Sequence, residues 1–271
     1  MMRAYVTGVA VWGPGLAGWE ASRPILAGEA PYVATATPPP LPSILSATER
    51  RRTGTTVRLA LAAAQAATEM AGLEPDALRS VFASANGDGA VVHAILETLA
   101  GTDRSVSPTH FHNSVHNAAA GYWTIATGSG AAATCLGCHD ATFAAALLKA
   151  MAEVACEAAP VLLCLYDAPL PQPLDSKRHT EAVFAAAFVL APGPDGCLAV
   201  LEAEYAAGPA SAELAEPRLA ALRGLSRVNP AARSLRLLEA IARQVPDACC
   251  AGLLDGRVDM RIAPCSTAAA S

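Results

Sequence analysis

Apolar residues follow two rhythms along this chain. Ala4–Trp12 reads AYVTGVAVW, rich in β-branched and aromatic residues, and predicts a strand. Val81–Ala85 predicts another. Val161–Tyr166, an unbroken apolar run bounded by Pro160 and Asp167, predicts a strand in the middle of a sheet, buried on both faces. Ala182–Leu190 and Leu198–Tyr205 flank the turn Gly193-Pro194-Asp195-Gly196 and read as a hairpin-like return; Val258–Ile262 reads as a short last strand. Helical spacing predicts a short helix over Trp19–Leu26, within a Gly/Pro-rich connection. A longer one runs from a cap at Ser46 or Thr48 to Ala71, stopped by Gly72. Further helices are predicted over Ala90–Leu99, Ala141–Ala152, Ala210–Leu222 and Ser234–Arg243. Strand, turn and helix in succession imply an α/β fold: a mixed, mostly parallel sheet with helices on both faces. The turn Asn86-Gly87-Asp88-Gly89 lacks the Lys-Ser/Thr of a phosphate loop and reads as a plain connection.

Composition narrows the function classes. Hydrophobic residues make up 53% and charged ones 16%, which fits a well-buried core and excludes disorder. Residues 1–264 read as a single domain and 265–271 as a flexible tail. The net charge is −5, and no basic run exceeds Arg50-Arg51-Arg52, so nucleic-acid binding is not expected. Those arginines and Arg58 are candidates for meeting an acidic partner, against the plainer reading of a solvated helix start. The N-terminus lacks signal-peptide features, and Lys149 and Glu153 interrupt the longest apolar candidate for a membrane span, so a soluble, cytoplasmic protein is expected. Eight scattered cysteines do not form a disulfide framework; Cys156, Cys164 and Cys197 read as reduced core residues.

Candidate chemistry concentrates between Ser107 and Ala150. This stretch holds His110, His112, His116 and His139 with Cys135 and Cys138, among Gly and Ala that permit close backbone approach. A cysteine at a glycine-rich turn that opens a helix can act as a thiolate nucleophile. Three readings stand side by side. In the first, Cys138 is acylated with His116 or His139 as base; neighbouring helical residues point apart, so His116 is the better partner. In the second, Cys138 packs quietly in a small-residue turn. In the third, a metal is bound. Cys135-Leu136-Gly137-Cys138-His139 matches the C-x-x-C-H pattern of haem attachment, which requires export, and zinc through both cysteines and two of the histidines rests on a lone C-x-x-C. The expected set is Cys138, His116 and His139, with no metal and no cofactor.

The segment NSVHNAAAGYWTIATGSG followed by TCLGCHDATFAAALL resembles the β-ketoacyl synthase branch of the thiolase superfamily. More narrowly, it is similar to short β-ketoacyl synthase-like N-terminal domain proteins that accompany aryl-polyene and related lipid gene clusters. VFASANGDG resembles their third-strand region, and Gly128-Ser129-Gly130 the turn leading to the nucleophile. Family spacing puts that nucleophile at Gly137 or Cys138, and Cys138 has the chemistry. The resemblance implies a thiolase-like N-terminal half. The second half, which supplies the two catalytic histidines of condensing enzymes, is not found in this sequence. The implied role is an accessory ketosynthase-like subunit in bacterial aryl-polyene, fatty-acid or polyketide-type lipid biosynthesis. The alternative is a Cys138-dependent acyltransferase or thioesterase acting on acyl-carrier thioesters. Implied partners are acyl carrier protein and either a full-length ketosynthase or a second copy of the chain.

Overall fold

A computed structural model of the chain describes residues 1–38 and 40–265. Its elements are β1 (Met2–Gly13), β2 (Leu16–Ala17), α1 (Trp19–Ala27), α2 (Ala47–Arg52), α3 (Thr55–Ala71), β3 (Arg79–Ala83), α4 (Gly89–Ala100), α5 (Pro108–Asn113), α6 (Ala118–Thr127) and β4 (Ala133–Leu136). They continue with α7 (Thr142–Glu157), β5 (Val161–Asp167), β6 (Phe184–Ala191), β7 (Ala199–Ala207), α8 (Ala212–Ala215), α9 (Ala220–Val228), α10 (Leu235–Arg243), β8 (Asp247–Leu253) and β9 (Gly256–Pro264). The strands form one sheet in the order β4-β3-β5-β6-β1-β7-β9-β8, with β2 paired to β1.

The α/β class, the mixed sheet and the covered faces all stand. Parallel pairing is scarcer than expected: β3 runs parallel to β4 and β5, and the remaining pairings are antiparallel. Helical crossovers return the chain to the same end of the sheet only between β3, β4 and β5. The strands flanking the Gly193 turn do not pair with each other, because β1 lies between them. β1 takes that place because it is apolar on both faces, with Val9 and Val11 in one core layer and Ala10 in the other.

Two layers sandwich the sheet. On β5, Val161, Leu163 and Leu165 share a core with Phe143, Leu147 and Met151 of α7. Leu162, Cys164 and Tyr166 share the other with Leu59 of α3 and Trp123 of α6. Each fully buried large side chain here stabilises the fold by about 1.5–3 kcal/mol. The expected helix to Ala71 is broken at Thr53-Gly54. Ser46 and Glu49 form a capping box on α2, and Gly72 closes α3 in the left-handed conformation.

β8 has no counterpart among the predicted strands. Its sequence DACCAGL lacks β-branched and aromatic residues, and it is a strand because β9 pairs with it. Buried Arg236 also grips it, donating to both oxygens of Asp247 at 3.0 and 3.2 Å and to the Ala248 carbonyl at 2.9 Å. Burial alone would push the Asp247 carboxyl up; hydrogen bonds from Arg218 and Arg236 overrule it and hold it at about 2.

Cys164 is buried as expected, but Cys156 is exposed at the end of α7, and Cys197 is joined to Cys265 as a disulfide. Of the expected tail, Cys265 is described and 266–271 lie outside the described residues. Among the described residues no helix is long and apolar enough to cross a membrane.

At Gly8 β1 lies hard against α3: a Cβ there would run into the Ala67 carbonyl. Gly8→Ala is therefore expected to destabilise the fold by about 1–3 kcal/mol through overpacking, measured by urea unfolding. An unchanged midpoint would mean that α3 can move away.

Candidate functional site

The parallel strands β3, β4 and β5 end side by side, and their carboxyl ends gather the polar residues of the chain's centre. This is the edge at which open α/β sheets form sites. Beyond β4 the chain runs through Gly137 and Cys138 into a 3₁₀ turn, His139–Ala141, and then α7. Thr142 holds the turn: its hydroxyl donates to the His139 carbonyl (2.7 Å) and accepts the Cys138 N–H (2.9 Å). His139 sits in the left-handed region, φ 50°, a conformation a non-glycine residue keeps only under local constraint. Its side chain is 71% exposed, with Nδ1 3.6 Å from Asp140.

His116, between α5 and α6, reaches the same turn. Its Nε2 lies 2.9 Å from the Ser84 carbonyl oxygen. A carbonyl only accepts, so Nε2 is the donor in this contact. The ring stands against Gly137: a Cβ at that position would lie 3.1 Å from His116 Nε2 and 2.7 Å from the Ser84 oxygen. The room that a side chain at 137 needs is thus already occupied. Cys138 itself is half-buried. Among the described residues its sulfur makes no hydrogen bond to His116 or His139. His110 and His112 lie on α5, where His112 meets Tyr122 edge-on at 5.8 Å. No group of three or more His, Cys, Asp or Glu among the described residues could hold a metal ion, so the Cys135–Cys138–histidine set is not assembled.

Sequence reasoning missed Asp167, using it only as the boundary of an apolar run. Asp167 is fully buried, and its Oδ1 accepts from Ser84 Oγ (2.8 Å), Ala85 N (3.0 Å) and Asn86 N (3.1 Å), while Oδ2 has no partner. Burial pushes its carboxyl up to about 6 against the opposing hydrogen bonds. Asp167 thereby fixes the turn that presents the Ser84 carbonyl to His116. A lone carboxylate closing a continuous apolar strand was the available signal.

Asp140 is the second anchor. It accepts a hydrogen bond from Arg178 (2.7 Å) and forms an ion pair with Arg233 (3.1 Å), and these tie the 168–183 loop and the 231–234 turn to the Cys138 turn. Burial would raise its carboxyl, and the two arginines bring it below the ordinary carboxylate range.

Two surfaces flank this edge. α4 is apolar almost throughout, yet Gly89 is its only buried residue. Leu96 and Leu99 are exposed on α4, as are Phe111 (69%) on the neighbouring α5, Val115 just after it, and Ile125 (63%) on α6, the helix that packs beside the edge strand β4. Arg50, Arg51, Arg52 and Arg58, at α2 and the start of α3, make no ion pair among the described residues.

The family model described as "Beta-ketoacyl synthase, N-terminal domain" matches residues 26–244. A search of the curated proteins finds none that matches. Among solved structures, a chain of the complex of the ketosynthase ApeO with its chain length factor ApeC, from Xenorhabdus doucetiae, matches with TM-score 0.72 at 18% identity, over 96% of this chain and 99% of that one. The ishigamide ketosynthase/chain length factor matches at 0.69 and 14%, over 97% and 99%. The AntDE:AntF complex, a type II polyketide synthase acyl-carrier protein with its ketosynthase bound to the hexaketide, matches at 0.71 and 12%, over 97% and 99%. At these identities the likeness is one of fold.

The folded-state value of Asp167 lies above the unfolded one. Folding therefore takes up its proton between about pH 4 and 6, and its contribution to stability falls as pH rises through that window. Asp167→Asn keeps the Oδ1 acceptor and removes the buried charge. Its unfolding free energy relative to wild type is expected to drop by about 1–2 kcal/mol as pH falls from about 7.5 to about 5. A constant difference would mean that Asp167 titrates at its ordinary value.

Proposed function

The chain belongs to the beta-ketoacyl synthase N-terminal domain family, and from that premise we propose that it is an accessory ketosynthase-like subunit of bacterial aryl-polyene, fatty-acid or polyketide-type lipid biosynthesis. Residues 1–264 work as one domain, in the cytoplasm, where they shape or present acyl-carrier intermediates for a catalytic partner. The observation that carries this reading is the filled space at Gly137. Condensation needs an acylated nucleophile with preorganised donors aimed at the developing charge. Here one of the two family-implied positions has no room for a side chain. At the other, the Cys138 N–H is committed to Thr142 and the Nε2 of His116 to Ser84, while His139 turns into solvent.

The partner we infer is a full-length ketosynthase, seated on the apolar surface of α4, α5 and α6 beside β4. Leu96 and Leu99 on α4 and Phe111 on the neighbouring α5 are exposed, as is Ile125 on α6, and large exposed apolar side chains on neighbouring helices favour an interaction site. The matched ApeO structure is itself a complex with a chain length factor. Acyl carrier protein, named in the AntDE:AntF complex, would meet the unpaired Arg50, Arg51, Arg52 and Arg58. A second copy of the chain on the same apolar surface is the other arrangement.

The second reading keeps Cys138 as an acyl carrier or thioesterase nucleophile. It is favoured by the place of His116, whose Nδ1 makes no hydrogen bond among the described residues and whose ring stands against the residue before Cys138. Intact mass after incubation with acyl-CoA or acyl-carrier protein separates the two. No mass gain is expected under conditions that acylate a control ketosynthase; a gain of one acyl group, absent in Cys138→Ala, would replace the first reading by the second. In co-expression with a ketosynthase, Cys138→Ala is expected to co-purify as wild type does, whereas Phe111→Asp weakens capture by about tenfold or more. Equal capture of both variants would remove the ketosynthase from this surface.

A further inference from the structure

The Cys197–Cys265 disulfide joins two points of unequal footing. Cys197 closes the Gly193 turn, where its N–H donates to the Pro194 carbonyl (3.0 Å). The next residue is tied on both sides. The Leu198 N–H donates to the Val6 carbonyl (2.7 Å), and the Leu198 carbonyl accepts from Gln244, just past α10 (3.0 Å). Cys265 follows β9 directly, beyond the last pair of the β7–β9 ladder, Ala199 with Pro264. The bridge therefore pins the end of β9 to a part of the fold that is held without it. β8, the outermost strand, pairs with β9 and begins opposite that end, Asp247 facing Ile262.

The pair is placed for reversible chemistry. Its Cα atoms are 6.0 Å apart, within the range a disulfide spans without moving the backbone. Both cysteines are only half-buried, so a small thiol reaches them from solvent. By contrast Cys164, Cys249 and Cys250 are buried, and burial pushes each of those thiols up, away from the reactive thiolate. The bridge spans 68 residues of sequence and encloses β7, α8, α9, α10, β8 and β9. A link closing so long a loop strongly restricts the opened chain.

We propose that Cys197 and Cys265 form a thiol–disulfide switch that clasps the β8–β9 edge of the sheet. Oxidised, it holds the end of β9; reduced, it lets the last β9 pairs and the start of β8 open. The oxidant is a small disulfide of the glutathione class. One cysteine thiolate attacks a sulfur of glutathione disulfide and expels a glutathione thiolate. The second then attacks the protein sulfur of the mixed disulfide and expels the other. Two protein thiols lose two electrons and two protons, and one glutathione disulfide becomes two glutathiones. Excess glutathione reverses the same steps. Exposed bridges exchange in this way, whereas permanent staples resist the glutathione pool. In the cytoplasm proposed above, disulfides are characteristically transient and redox-sensing. That placement says where the switch works; its chemistry belongs to the chain and is read on purified protein.

The full chain is taken through glutathione buffers from fully oxidised to fully reduced, free thiols are alkylated, and peptides are mapped by mass without reduction. The Cys197 and Cys265 peptides are expected to be linked at the oxidised end, released at the reduced end and relinked on return. Hydrogen exchange in the same samples is expected to speed up by about tenfold or more at the end of β9 and the start of β8 on reduction, with β3 and β5 unchanged. Cys265→Ser is expected to exchange like the reduced form in both buffers, and Cys156→Ser to switch as wild type does. The proposal is overturned if the two peptides are never linked in oxidised glutathione, or stay linked in excess reduced glutathione. It is equally overturned if β8 and β9 exchange alike in linked and released protein, or if Cys265→Ser still responds to oxidation there.

Discussion

The constraint on which the rest of this structure depends is that β5 has no solvent face. Its residues alternate between two helical layers, α7 on one side and α3 with α6 on the other, so every position from Val161 to Tyr166 must be apolar or neutral. A strand so placed can carry a charge only at its end, and even there the charge must be hydrogen-bonded. Asp167 is that charge. Its three donors come from the turn after β3, the neighbouring parallel strand, so the burial of β5 dictates the shape of the adjoining turn.

From that turn the order of the site follows. The Ser84 carbonyl, held in place by the turn, accepts from His116, and the imidazole then occupies the space beside Gly137. A glycine is required at 137 because the carbonyl and the ring leave no room for a Cβ. The chain keeps the shape of a nucleophile turn, with a constrained His139 and a thiol at Cys138, and fills its neighbouring space with a histidine.

Charge plays a different part on the far side of Asp140. There the arginines of the 168–183 loop, α9 and the 231–234 turn converge on Asp140 and Glu216, clamping the start of α7 against the C-terminal part of the fold. The same clamp borders a small cleft lined by Phe143, Ala144 and Ala251, in which Arg227 and Arg233 balance Asp140 and Glu216. Stabilising the Cys138 turn and shaping that cleft are two consequences of one ionic arrangement.

Much of this was legible in the residues taken in order. The strand cores, the helix stops at Gly72, the segment carrying Cys138 and the family resemblance all rest on local pattern: alternation, helical spacing, glycine and proline. Local pattern could not say that β1 inserts between β6 and β7, because pairing order is decided by which strand can be buried on both faces. Nor could it make β8 a strand, since its propensity is poor and its place comes from β9 and Arg236. Asp167 looked like a boundary until the turn after β3 closed over it, and Arg178 and Arg233 are distant in sequence from the Asp140 they hold. The sequence by itself determined the fold class and the stretch in which its chemistry is concentrated, because those depend on neighbours along the chain. Only the tertiary structure decided what fills the space at Gly137 and which carboxylates are buried, because both depend on groups that meet across dozens of residues.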